Sequence, residues 1–212
     1  MESNHRIQIQ EVYKNYSPPI ATVEIIDRLL NGIPGKYLTG LKSVVLRNAG
    51  GLNYDRRRST TRSRKRKVPI VRCRGLYHEK CRSAPAWIEI FVDNLINSYP
   101  DLLLHIRFFR DAAFSEVLFH EIGHHIHKTQ APKYKECEDV AEDWRKKLAC
   151  QYFRQQYWYL MPILLPLNLI IKLLRTITRR FKLTRRSSWP EGLMQLSNIS
   201  FFADVFQSSI GF

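Results

Sequence analysis

Residues 111–127 read DAAFSEVLFHEIGHHIH, and the spacing of their apolar side chains decides the fold. Ala112, Val117, Leu118, Ile122 and Ile126 fall on one stripe of a helix, and the segment 129–132, which ends in Pro132, breaks the pattern. Periodicity then resumes from about Tyr134 to Phe153, where Val140, Trp144, Leu148 and Tyr152 step by four. Two helices joined by a short Pro-containing turn make an αα-hairpin, which sets two helix surfaces face to face.

The first of these helices carries His120-Glu121-Ile122-Gly123-His124, an H-E-x-x-H motif. Residues at i and i+4 are neighbours on a helix, so His120 and His124 can reach one ion from a shared side. Glu121 projects beside that ion rather than onto it. A carboxylate there can take a proton from metal-activated water, the general-base role in metal-assisted hydrolysis. A chance match is a real alternative in a His-rich stretch, but the apolar stripe argues against it by turning both histidines to one side. His125 and His127 extend the run at other angles, which predicts supporting or surface roles for them.

Catalytic zinc usually takes three protein ligands and keeps one position open, so two histidines leave the site incomplete. The second helix offers Glu136, Glu138, Asp139, Glu142 and Asp143. Counted from the turn at 3.6 residues each, His124 and His120 lie about one and two turns before it, and Glu138 and Glu142 about one and two turns after it. Either carboxylate can therefore face the histidines. A ligating imidazole generally gives its other N–H to a carboxylate or carbonyl. With Glu138 on the metal, Glu142 at i+4 is placed to take that hydrogen bond. With Glu142 on the metal, the i+4 residue is Lys146, which cannot accept it. This favours Glu138 as third ligand and leaves Glu142 as support or alternative.

HEIGH followed by Glu138-Asp139-Val140-Ala141-Glu142-Asp143-Trp144 resembles the gluzincin clan of zinc metallopeptidases, in particular the minimal gluzincins and the lethal-factor-like catalytic domains. Their pattern is HExxH, then E-x-x-A-[DE]-x-aromatic on a second helix. The resemblance covers roughly residues 20–153, and the 14-residue step from His124 to Glu138 is short for the clan. It implies a zincin-like domain that hydrolyses peptide bonds with Zn2+ on His120, His124 and Glu138, Glu121 as general base and Glu142 supporting a histidine. It also implies that an edge strand at 87–92 pairs with extended substrate, and that a Tyr or His steadies the oxyanion. Tyr134, Tyr152 and His125 are available for that last role.

Upstream, residues 21–31 place Val23, Ile26, Leu29 and Leu30 at helical spacing before Gly32, Pro34 and Gly35. Residues 41–48 read LKSVVLRN and stop at Gly50-Gly51, a strand pattern. Residues 86–94 (AWIEIFVDN) hold a β-branched and aromatic run that only Glu89 interrupts, predicting a mostly buried strand. Residues 100–110 fit strand or helix equally. Cys73, His78 and Cys81 could supply donors to a second zinc site, but a closed site needs four ligands and no fourth is adjacent. Reduced cysteines are the preferred reading of these and of Cys137 and Cys150.

The chain of 212 residues has 34 Lys+Arg against 19 Asp+Glu, a net charge of +15. Residues 56–67 hold eight basic residues and no acid, and residues 172–186 hold seven and no acid. These two runs account for the whole excess, so a neutral body carries two basic patches. The first, mixed with Ser and Thr, predicts a solvated loop contacting acidic substrate or anionic lipid in preference to nucleic acid, since no aromatic ladder accompanies it. At 44% hydrophobic residues wholesale disorder is excluded, and residues 1–17 lack the apolar core of a secretory signal. Residues 157–171 form an uncharged apolar run interrupted by Pro162 and Pro166, aromatic at its start and basic after its end. It fits an interfacial or re-entrant membrane anchor, with a buried arm and a true span as alternatives. Residues 188–191 (SWPE) resemble a capping box before a last apolar helix.

The expectation is an α+β chain with a small mixed sheet and an active-site helix hairpin over residues 1–153, and a hydrophobic and basic helical extension over 154–212. Its expected activity is that of a cytoplasmic zinc metalloendopeptidase acting on protein or peptide, peripheral to or anchored at an anionic membrane through residues 157–186. The alternative is a zinc-stabilised binding module on nucleic acid or membrane that retains HExxH without using Glu121.

Overall fold

The β-branched run at Leu41–Arg47 and the apolar run at Ala86–Phe91 become neighbouring parallel strands at the centre of one sheet. A computed structural model describes residues 7–63, 66–81, 84–130 and 138–160. In chain order its elements are β1 Gln8–Val12, α1 Thr22–Asn31, β2 Leu41–Arg47, α2 Tyr54–Arg58, β3 Thr60–Ser63, β4 Arg66–Pro69, β5 Gly75–His78, β6 Ala86–Phe91, α3 Val92–Ile96, α4 Asp101–Leu104, α5 Arg107–Gln130 and α6 Glu138–Gln156. Strand order in the main sheet is β1-β2-β6-β5, parallel except for the antiparallel β5–β6 pair, and β3–β4 is a separate antiparallel ribbon. The fold is α+β, with a small mixed sheet and helices, as expected.

The expected helices and strands at 21–31, 41–48 and 111–127 are present, with α5 extended at both ends and with residues 100–110 resolved as helix. The position of the edge strand needs correction. β6 is paired on both sides, so it is an interior strand, and β5 is the edge. The near-continuous apolar run of β6 already carried this information, because a strand with five of six residues buried is typical of the middle of a covered sheet. Val92, read as strand, opens α3.

Register sorts side chains between the two faces. Gly75 and Tyr77 of β5 lie opposite Ile90 and Ile88 of β6, and Leu46 and Val44 of β2 continue that row. Val44, Leu46, Ile88 and Ile90 are fully buried there, as are Phe114, Leu118 and Ile122 of α5. Helix α5 is tied to α1 by Asp111, which is fully buried and accepts from Arg28 Nε at 3.2 Å and from its Nη2.

The opposite face corrects the reading of the first basic run, which is not a loop. Asn53 caps α2 by accepting from the Arg56 backbone N–H at 3.1 Å. Arg56 then donates two bonds, at 2.8 and 2.6 Å, to the fully buried Glu89 carboxylate of β6, which also meets Arg47 Nε at 3.2 Å and His78 Nε2 at 3.1 Å. Burial alone would raise the Glu89 carboxyl, but His78, Arg56 and Arg47 hold it down at about 2. Arg57 donates to the carbonyls of Leu52 and Gly50, and Arg58 to the Tyr54 hydroxyl. Three cations of the run are thus structural, and Arg62, Arg66 and Lys67 lie on the paired strands β3 and β4.

The chain divides into two compact units, Met1–Ala149 and Cys150–Phe212. In the second, Tyr152, Phe153 and Tyr157 are buried and their rings pack together, with Phe153 stacked on Tyr157 at 5.6 Å. The expectations for Tyr134, Cys137 and most of the 157–171 run, for 172–186 and for 188–191, lie outside the described residues. Among the described residues no helix is long and apolar enough to cross a membrane.

Candidate metal centre

Two glycines set how closely α5 is approached from its two sides. A Cβ placed on Gly123 would lie 2.5 Å from the Ala141 carbonyl oxygen and 3.0 Å from Ala141 Cα. Helix α6 therefore meets α5 backbone to backbone at this point, between the turns that carry His120 and His124. Ala141, itself small and fully buried, is flanked by Glu138 one turn before and Glu142 one residue after. On the sheet side, a Cβ on Gly75 would lie 2.5 Å from Val117 Cγ1 and 2.8 Å from Glu121 Oε1. The edge strand β5 thus packs directly against the carboxylate of the motif.

Across the α5–α6 contact, His120 Nε2 lies 3.3 Å and His124 Nε2 3.8 Å from the same oxygen, Glu138 Oε2. One donor atom from each of the three residues lies within 4.8 Å of the others, so the group could hold a metal ion; it is the one such group among the described residues. The donor set fits a small divalent cation: at metal–ligand lengths of ~2.0–2.2 Å, tetrahedral ligand atoms stand about 3.4 Å apart. Glu138, favoured from sequence as third ligand, is the carboxylate that joins the histidines.

Glu142 takes the supporting position. His120 Nδ1, the nitrogen turned away from Glu138, lies 3.7 Å from Glu142 Oε2, and Arg145 in turn donates to both Glu142 oxygens, from Nε at 2.7 Å and from Nη2. Burial would raise the Glu142 carboxyl, but Arg145 and His120 hold it down at about 2. For His120, burial acts to lower the pKa, and the carboxylates of Glu142, Glu121 and Glu138 outweigh it and raise it. For His124, burial and the neighbouring His120 push it down to about 4, which keeps this ring in the neutral form that binds metal.

The group lines a cavity of about 420 Å³, walled by Arg74 and by Gly75, Leu76 and Tyr77 of β5, by α5 with Glu116, His120, Glu121 and His124, by α6 with Glu138, Glu142 and Arg145, and by Thr61, Arg62 and Val68 of the β3–β4 hairpin. Glu121 is 7% exposed and faces this space.

His125 and His127 are both buried, not at the surface. His125 Nε2 lies 3.0 Å from the Thr39 carbonyl, which can only accept, so Nε2 carries the proton and Nδ1 accepts from the Tyr77 hydroxyl at 3.2 Å. The ring pins α5 to β5 and to the turn before β2, and burial lowers its pKa. The Cys73–His78–Cys81 set does not converge on an ion. His78 stacks on Trp87 at 3.8 Å and meets Glu89, Cys73 Sγ lies 3.6 Å from the Pro69 carbonyl, and Cys81 is exposed.

Sequence reasoning missed Arg74, Tyr77 and the hairpin residues of the cavity wall. The signal available was Gly75, a small residue beside the short segment LYH, which marks a close backbone approach. No protein-family model, curated protein or solved structure matches the chain.

Proposed function

We propose that this chain is a zinc-dependent metallopeptidase, with zinc on His120, His124 and Glu138 and with Glu121 as general base. The observation that carries the reading is the position of Glu121, on the wall of an open cavity beside the three donor residues. A site that only stabilised a fold would be closed by a fourth protein ligand. The likeness of HEIGH and EDVAEDW to the gluzincin motifs points the same way.

Zinc, when bound, supplies a Lewis acid toward water and toward the scissile carbonyl. The chain's own residues do the rest. Glu121 accepts a proton from the attacking water and returns it to the leaving amine as the C–N bond breaks, so that water is divided between a new carboxyl and a new amine. Gly75 leaves the space in which that carboxylate moves. Glu142, itself fixed by Arg145, orients the His120 ring through Nδ1. Strand β5 pairs with β6 on one side only and lines the cavity with the residues of its other side. Its backbone is therefore the edge on which an extended peptide can be laid, a role first expected of residues 87–92.

The test is Glu121→Gln in the full chain. Zinc content should match the wild type, and hydrolysis of a protein substrate such as casein should fall by about 10²–10⁴-fold. Undiminished hydrolysis would refute the mechanism, and a zinc-loaded wild type inert on every peptide would favour the non-catalytic binding module.

A further inference from the structure

Most charged groups on the cavity wall face an opposite charge. Arg74 meets Glu116 at 3.0 Å, Arg145 is held by Glu142, and Glu138 faces the two histidines. Arg62 of β3 is different. It lines the same cavity, is exposed, and makes no side-chain ion pair or hydrogen bond among the described residues. Its directly opposed partner across the hairpin is Lys67, and Arg66 stands one position further along β4; both are exposed and also without a counter-charge among the described residues.

Like charges placed directly opposite on a two-stranded ribbon destabilise it. Here nothing in the described protein offsets that repulsion, whereas Arg56, Arg57 and Arg58 of the same run all have partners in the fold. The neighbouring cross-strand pair, Thr61 and Val68, also lines the cavity. The β3–β4 pair is therefore a wall of the cleft, and of its surplus cations Arg62 faces the space that a bound peptide would fill, with Lys67 directly across the ribbon from it.

We infer that the β3–β4 hairpin is a specificity-determining wall, and that Arg62 and Lys67 select peptide segments carrying Asp or Glu beside the bond offered to the metal centre. This rests on the peptidase reading above and names its substrate class. An anion brought by the substrate offsets the cross-strand repulsion as it binds, so binding of an acidic segment also stabilises the β3–β4 pairing.

The experiment uses zinc-loaded full-length protein and two internally quenched peptide pools of equal length, one with Asp or Glu and one with Asn or Gln at the positions flanking a randomised centre. The wild type should cleave the acidic pool about five- to tenfold faster in kcat/KM. Arg62→Gln with Lys67→Gln should bring that rate down to the level of the amide pool and leave the amide pool unchanged. Arg62→Glu with Lys67→Glu should invert the preference. Equal wild-type rates on the two pools, or an equal loss on both in the variant, would overturn the inference. Zinc content of the variants should match the wild type and thermal melting should not fall, since both side chains are exposed and the Gln pair removes a cross-strand repulsion. Cleavage of neither pool would count against the peptidase reading, and binding then decides the inference separately. Fluorescence anisotropy on the zinc-loaded Glu121→Gln protein should show the acidic peptide bound about five- to tenfold more tightly than its amide twin, with the difference erased by the Arg62→Gln and Lys67→Gln changes. If those changes instead weaken only an oligothymidylate probe and leave the peptides unaffected, the hairpin reads nucleic acid and the inference fails.

Discussion

Gly123→Ala is the smallest change that acts on the helix contact that brings Glu138 to the two histidines of the proposed metal centre. The added Cβ would lie 2.5 Å from the Ala141 oxygen, 3.0 Å from its Cα and 3.1 Å from its carbonyl carbon. Carbon and carbonyl oxygen normally stand at ~3.3–3.6 Å, so relief requires about 1 Å of movement. The obstructing atoms are backbone and cannot rotate away, which means that α6 itself must retreat. Glu138 moves with it, away from His120 and His124 at present separations of 3.3 and 3.8 Å. Metal–ligand distances tolerate only about 0.2 Å, so Glu138, the proposed third ligand, would be lost to the metal or badly strained. Zinc affinity should fall by about 100-fold or more. Stability of the metal-free protein should change less, because overpacking costs about 1–3 kcal/mol and the gain in helix propensity from Gly to Ala returns about 1 kcal/mol. Competition against a fluorescent zinc chelator measures the first quantity, and thermal unfolding in EDTA measures the second. Wild-type zinc affinity in Gly123→Ala would refute the idea that this close approach positions the site.

Gly75→Ala should separate base from metal: its Cβ meets Glu121 Oε1 at 2.8 Å and Val117 Cγ1 at 2.5 Å, so zinc binding persists while turnover falls by about 100-fold. Glu142→Gln keeps the shape of the support but removes its charge, and should weaken zinc by about 10–100-fold in the same chelator titration. Glu89 gives a pH-dependent prediction. Its folded carboxyl, at about 2, lies below the ordinary 4.5, so its contribution is complete above about pH 4.5 and is lost as pH falls through about 2. That shift corresponds to about 3 kcal/mol. In denaturant titrations, Glu89→Gln should be less stable than wild type by about this amount at pH 7, with the difference shrinking toward pH 2.

The helix hairpin was legible in the sequence because a strong periodicity and an H-E-x-x-H spacing coincide there, and the outer hydrogen bond expected of a ligating imidazole favoured Glu138, the carboxylate that groups with the two histidines. Most of what the sequence concealed lies between residues 54 and 78. Arg56 looks like one more solvated cation in a basic run, and only tertiary pairing with a buried carboxylate 33 positions away makes it structural. Strand β5 has four residues, begins with Gly and carries no apolar run, so neither length nor alternation marks it. Its existence depends on the sheet edge offered by β6. His125 was placed by helical angle as a supporting or surface residue, but angle cannot tell solvent from a neighbouring strand, and Tyr77 and Thr39 are what lie there.

The most direct measurement of the central claim is the zinc K-edge X-ray absorption spectrum of the full chain loaded with one equivalent of zinc. The expected result is a four-coordinate shell of nitrogen and oxygen at ~2.0–2.1 Å, with the multiple-scattering signature of two imidazoles, and loss of one imidazole in His124→Ala. A zinc–sulfur shell at ~2.3 Å, or a spectrum unchanged by His124→Ala, would place the metal elsewhere and contradict it.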